Sequence, residues 1–219
     1  MATAVLLGGY ADAHDPIRTK VTWDREIAPI VQARCVSCHS EGGKGPPLMT
    51  YEEARPWAKA IKEEVLTRRM PKWAAARGYG DFLNDRSLSP FEIALIVAWV
   101  DGGAPKTLPR LSPRVKVLPP PAEFSAPEVR TASVPCSAKV LPPGTLLGIR
   151  PELAAGASVR VVVGSPTNGP EALLWIRDFD PEFADTYWLR VPITVGRAYR
   201  NLTTSTGSCT LDLLYSAAP

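Results

Sequence analysis

Five consecutive residues, Cys35-Val36-Ser37-Cys38-His39, carry the most specific chemical signal in this chain. Two thiols three positions apart reach two vinyl groups on one edge of a porphyrin, and a histidine directly after the second thiol falls beneath the iron as its proximal ligand. The run therefore reads as a covalent attachment site for one c-type haem, with both sulfurs consumed as thioethers and the His39 imidazole on the metal. Two other chemistries compete for the same residues. A structural zinc site needs two further Cys or His ligands at short spacing, and Cys136, Cys209 and His14 are all distant. A dithiol redox motif belongs beside a βαβ pattern, and none is visible.

The second axial ligand is sought among three methionines, Met1, Met49 and Met70, with His14 as the alternative. Met1 is terminal and Met49 is close in sequence to the proximal loop. Met70 lies in Arg69-Met70-Pro71-Lys72-Trp73, and a residue before proline is pushed out of the α region. A loop then presents the Met70 thioether to the distal side of the iron. Met/His ligation raises the reduction potential, which suits a one-electron carrier. Trp73, next to this ligand, is expected to pack over the ring edge. No residue is assigned a catalytic role.

The elements that must position these groups read as helices. Asp24 is a candidate N-cap for a helix through Arg34, with Ile27, Ile30, Val31 and Arg34 at helical spacing and Pro29 near its first turns. Ser40 to Pro47 is a Gly/Pro loop able to wrap the ring edge. Capping boxes at Thr50…Glu53 and Ser89…Glu92 open two further helices. The first carries an apolar stripe of Trp57, Ala58, Ile61, Val65 and Leu66. The second, apolar almost all round, is expected between the first helix and the haem, with Gly102 as a left-handed cap.

Residues 20–106 resemble a monohaem cytochrome c domain found in acidobacterial and related exported proteins. The runs that carry the resemblance are Thr22 to Ile27, Cys35 to His39, Thr50 to Ala58, Arg69 to Trp73 and Trp99 to Pro105, over about two-fifths of the chain. The resemblance implies that Met70 is the distal ligand.

Pro105, Pro109, Pro113, Pro119, Pro120, Pro121 and Pro127 mark a semi-rigid linker over residues 107–130. Beyond it, residues 131–219 form short β-type runs separated by turn signals such as Asn168-Gly169-Pro170. Strands are expected at 139–141, 146–150, 158–163, 172–177, 186–191, 197–203 and 209–215. Their spacing of about 10 residues argues for a small antiparallel β-sandwich. The fold class is thus α + β in two domains, an all-α haem domain joined by a proline-rich linker to a sandwich. Cys136 and Cys209, near the start and end of that sandwich, are either bridged or separate buried thiols. This half also resembles, more weakly, the C-terminal β-sandwich of type II copper, ascorbate-dependent monooxygenases, through Leu141 to Thr145, Ile149 to Pro151 and Leu173 to Tyr187. Where those enzymes carry a histidine pair this chain reads Glu152-Leu153-Ala154-Ala155-Gly156, and with His14 and His39 its only histidines no imidazole copper site can be built.

Composition bounds the remaining functions. The chain has 219 residues, 45% hydrophobic and 21% charged, and a net charge of +3, too small to indicate a nucleic-acid partner. No stretch of about 20 apolar residues is present for a spanning helix. Residues 1–19 read as the remnant of a secretory signal peptide with cleavage after Ala13, though without the positive n-region, or as an ordinary terminus. Covalent haem attachment and a disulfide both suit a periplasmic or exported protein. The expected function is one-electron transfer to a redox partner or larger complex, with any membrane association peripheral and through that partner. Lys59, Lys62, Arg68, Arg69, Lys72 and Arg77 either steer an acidic partner or form a solvated helix face. A haem sensor or peroxidase-like enzyme with a displaceable distal ligand is the alternative.

Overall fold

The computed structural model describes residues 20–107, 128–165, 167 and 169–217. A small helical unit precedes an antiparallel β-sandwich, the α + β arrangement that the change of sequence pattern predicts. The leader expected to end at Ala13, the alternative ligand His14 and residues 108–127 of the expected linker lie outside the described residues.

The first helix opens as a wide turn, Trp23–Ile27, and continues as α1, Ala28–Arg34. Asp24 lies inside that turn and is not its cap. Thr22 occupies the cap position, and its N–H donates to Glu26 Oε2 at 2.9 Å. The start is instead tied to the end of the unit, since the N–H groups of Trp23 and Asp24 donate to the carbonyls of Pro105 and Lys106 at 3.0 and 3.1 Å. Pro29 sits in the first turn of α1, where its missing N–H costs nothing.

Both capping boxes form as the sequence predicts. Thr50 and Glu53 exchange bonds at the start of α2 (Tyr51–Ala54), and Ser89 and Glu92 do so at the start of α4 (Pro90–Asp101). A short 3₁₀ turn at Arg55–Trp57 links α2 to α3 (Ala58–Leu66). At the end of α4, Gly102 keeps a right-handed φ of −80° because its N–H still reaches the Ala98 carbonyl at 3.0 Å. The left-handed residues are Gly103 and Ala104, one step later than expected.

Aromatic rings gather the unit. Trp23 lies against Trp99 and Tyr51, with ring centroids 5.8 and 6.1 Å apart. Trp99 Nε1 donates to the Pro105 carbonyl and the Tyr51 hydroxyl to that of Ala104, both at 3.0 Å. Helix α4 packs on α3 and on the Trp23–Ile27 turn. Its apolar composition does not bury it all round: Phe91 is 71% exposed.

The sandwich contains eight strands among the described residues: β1 (Val129–Pro135), β2 (Gly144–Leu153), β3 (Val159–Ser165), β4 (Gly169–Ile176), β5 (Tyr187–Val195), β6 (Arg200–Asn201), β7 (Thr204–Ser205) and β8 (Cys209–Ser216). One sheet has the order β1-β8-β2-β5, the other β4-β3-β6 with β7 beside β3. Alternation sends Val159, Val161 and Val163 inward against Leu211, Leu213 and Tyr215. A bulge between Leu146 and Gly148 lets Leu146 and Ile149, three apart, both enter the core.

Three strand expectations shift. Lys139–Leu141 is not a strand, residues 197–203 reduce to β6, and β1 falls where the linker was expected to end. Cys136 and Cys209 are joined in a disulfide, Cα to Cα 5.4 Å, closing the sandwich near its two chain ends.

The connection from α3 to α4 leaves the helices and joins the sandwich. Ala75 bridges Ile176, Phe82 bridges Leu189, and both side chains are buried in the sandwich core. Ala76 N–H donates to the Trp175 carbonyl at 2.7 Å, and Leu83 N–H to that of Trp188 at 2.8 Å.

Candidate functional site

A cavity of about 290 Å³ brings Cys35, Cys38, His39 and Met70 to one wall system, with Leu48, Trp57, Ile61 and Val65 as its apolar lining. Its volume lies at the lower end of small-molecule sites. A larger cleft of about 900 Å³ adjoins it, sharing Val65, Met70, Pro71, Lys72 and Phe183, so the space widens on the Met70 side.

The Cys-x-x-Cys-His run leaves α1 as a tight turn. Cys38 N–H and His39 N–H both donate to the Cys35 carbonyl, at 3.1 and 2.9 Å. Arg34, one residue before, fixes this exit from the far side. Its guanidinium donates to the Asp85 carbonyl at 2.6 Å and pairs with Glu92 of the α4 capping box at 3.1 Å. Burial disfavours the Glu92 carboxylate, yet bonds from Ser89 and Arg34 hold its pKa below the ordinary value.

Both thiols of the run are free. Burial pushes the Cys35 thiol up to about 12, against the opposing pull of Arg34. At neutral pH Cys35 is therefore a neutral thiol, whereas metal capture and disulfide exchange need the thiolate. Among the described residues no group of three or more His, Cys, Asp or Glu side chains is arranged to hold a metal ion. Burial of Cys35 beside the apolar cavity thus disfavours its thiolate.

His39 is oriented by its own loop. Its Nδ1 lies 2.8 Å from the Pro46 carbonyl. A carbonyl only accepts, so Nδ1 is the donor here, and Nε2 is the nitrogen left for a metal, as in a ligating histidine. Gly45 makes the approach feasible: a Cβ there would stand 2.7 Å from Nδ1 and 3.2 Å from Nε2. The loop closes through Leu48 N–H to the His39 carbonyl (2.9 Å) and Gly45 N–H to the Cys38 carbonyl (3.2 Å). The residues present thus fit a thioether-linked haem: two free thiols, an imidazole whose Nδ1 is held by a carbonyl, a thioether on a separate loop and an apolar lining.

Met70 follows the last turn of α3, and its N–H donates to the Glu64 carbonyl at 3.3 Å. Trp73 is not in the lining of the smaller cavity but lines the adjoining cleft together with Met70. Its ring packs edge-on against Tyr187 and Phe82, with centroids 4.9 and 6.0 Å away, so it belongs to the sandwich contact. Helix α4 contributes no residue to the lining either.

Residues that the sequence did not single out complete the wall. Phe183, from a 3₁₀ turn of the sandwich at Pro181–Phe183, lines the cavity together with Lys44, Lys72 and Arg86. Nothing local in the sequence marks Phe183, because its place depends on how the two halves meet. Most of the basic cluster is committed to internal partners. Lys62 pairs with Asp101, Arg69 with Glu63 and Glu64, and Lys72 with Asp180, while Arg77 donates to the Leu88 carbonyl.

Set against known proteins, the chain matches no family model, no curated protein and no solved structure.

Proposed function

We propose that this chain is a monohaem c-type cytochrome that carries single electrons in a periplasmic or other exported compartment. The observation that carries the reading is the 2.8 Å contact of His39 Nδ1 with the Pro46 carbonyl. The proton on Nδ1 is committed to the Pro46 carbonyl, leaving Nε2 as the ligating nitrogen, on a residue that shares one apolar cavity with Cys35, Cys38 and Met70.

Each residue then has a defined task. Cys35 and Cys38 tether the cofactor through thioether bonds. His39 and Met70 would hold the iron through a nitrogen and a sulfur. Leu48, Ile61, Val65 and Phe183 give the cavity its apolar lining, against which the ring would pack. The bound haem supplies an Fe(III)/Fe(II) couple, whose potential is raised by the thioether and by exclusion of solvent. The Cys136–Cys209 disulfide favours an oxidising compartment. A carrier of this kind exchanges electrons with a redox partner protein or a larger complex.

The test is expression of the full chain in a host with haem-attachment machinery, followed by denaturation. Haem is expected to stay on the polypeptide, and intact mass should rise by one haem. The oxidised protein should show the weak sulfur-to-iron band at the red end of the visible spectrum. A chain that releases all porphyrin on denaturation overturns the reading. Covalent haem without that band, together with ready carbon monoxide binding after reduction, turns it toward the sensor or peroxidase-like alternative.

A further inference from the structure

The loops bearing His39 and Met70 both reach the same turn of the β-sandwich. Lys44, five residues past His39, donates to the Glu182 carbonyl at 2.6 Å and lies over the Phe183 ring at 4.8 Å. Lys72, two residues past Met70, lies over the same ring at 5.0 Å and pairs with Asp180 at 3.9 Å. Phe183 in turn lines the cavity. One aromatic ring of the sandwich is thus gripped by a cation from each ligand-bearing loop. The chain after Lys72 then runs along the sandwich through the Ala75–Ile176 and Phe82–Leu189 bridges.

We propose that the β-sandwich is the element that positions Met70, with the Pro181–Phe183 turn acting as the cover of the cavity. This deepens the cytochrome reading and rests on it. Phe183 and Lys72 are positioning residues acting through the Met70 loop, and Lys44 holds the Phe183 turn from the His39 loop. Helix α3 fixes Met70 on one side only; on the other its loop is anchored to strands β4 and β5. The His39 loop also touches the sandwich through Lys44, but unlike the Met70 loop it is closed by its own backbone bonds, so loosening the anchorage should move Met70 first. The population in which Met70 has swung away should rise selectively. An external ligand that needs that open state binds with an apparent affinity proportional to its population.

The experiment uses the full haem-loaded chain and compares wild type, Phe183→Ala, the double variant Lys44→Met/Lys72→Met, and Phe91→Ala as an exposed control away from the cavity. Haem per chain is measured by intact mass, the Met70–iron bond by its red-edge band, and distal opening by carbon monoxide titration of the reduced protein. Expected is full covalent haem in all four, a diminished band in the first two variants, and carbon monoxide affinity raised about tenfold or more. The double variant changes only partly exposed cations, so it tests the cover even where Phe183→Ala fails to fold. Unchanged band and affinity in the double variant overturn the proposal while leaving the cytochrome reading intact. A wild type without covalent haem overturns both, and equal weakening in Phe91→Ala overturns the positional claim.

Discussion

Gly45 lies so close to the imidazole of His39 that a Cβ on it would stand 2.7 Å from Nδ1. That atom is also the donor to the Pro46 carbonyl, so one methyl group would compete with the bond that sets the tautomer. Gly45→Ala is expected to rotate the ring and free Nδ1. Overpacking of this kind costs about 1–3 kcal/mol. Urea denaturation measures the cost, and nitrogen NMR of His39 reads the tautomer. A variant with wild-type stability and an undisturbed Nδ1 proton would mean that the loop yields freely and Gly45 has no special role.

Asp212 offers a pH prediction within the sandwich. It is 8% exposed and accepts from Ser133 Oγ at 2.5 Å and from the Arg150 guanidinium at 2.6 Å. The Ser133 bond and then the Arg150 bond lower its pKa below the ordinary carboxylate value. A pKa depressed by folding contributes stability above the unfolded value, near 3.9, that is lost as pH falls through the folded one. Stability should therefore decline below about pH 4. Asp212→Asn should cost about 1.5–3 kcal/mol at neutral pH and flatten that decline. Equal acid sensitivity in the variant and wild type would assign the effect to other carboxylates.

What was legible beforehand follows the range of the forces involved. The capping boxes at Thr50…Glu53 and Ser89…Glu92 are exchanges within four residues, and both were readable. So was the Cys-x-x-Cys-His run, whose thiols and imidazole meet one cavity because they leave α1 in one turn. Strand β1 was hidden, since Val129–Pro135 is an edge strand with little apolar character, whose partner, β8, lies far along the chain. Trp73 shares the adjoining cleft with Met70, but its contacts with Tyr187 and Phe82 were not legible, because they depend on the loop crossing to the sandwich. Phe183 reaches the cavity through the meeting of two halves, which no local pattern encodes.

The four cysteines give a count that joins fold to proposed function. Cys136 and Cys209 are bridged, and Cys35 and Cys38 are free unless haem takes them. In denaturant, the haem-loaded chain should show no reactive thiol before reduction and only those of Cys136 and Cys209 after it. Two reactive thiols before reduction, at Cys35 and Cys38, would sink the thioether assignment. The bridge spans a sequence separation of 73. A closed loop of that size contributes up to about 4 kcal/mol by restricting the unfolded chain. Reductant should lower the urea midpoint accordingly; an unmoved midpoint would show that the sandwich holds without its staple.

The α3–α4 connection makes the two halves interdependent, which predicts how the protein unfolds. Asn84 in that connection donates to the Thr186 carbonyl at 2.7 Å and accepts from Trp188 N–H at 3.2 Å. Arg86 pairs with Asp185, and Arg190 with Asp81 at 3.0 Å. Two modules joined only by a linker would melt separately, whereas these bonds should couple them into one transition. Far-UV dichroism and tryptophan fluorescence are expected to give coincident urea midpoints. Asn84→Ala removes the bonds to the Thr186 carbonyl and from the Trp188 N–H, so it should cost about 1–3 kcal/mol. A protease site placed within residues 108–127 provides the sharper check. After cleavage the fragments should remain together on size exclusion, and separation under native conditions would reduce the sandwich to an appendage.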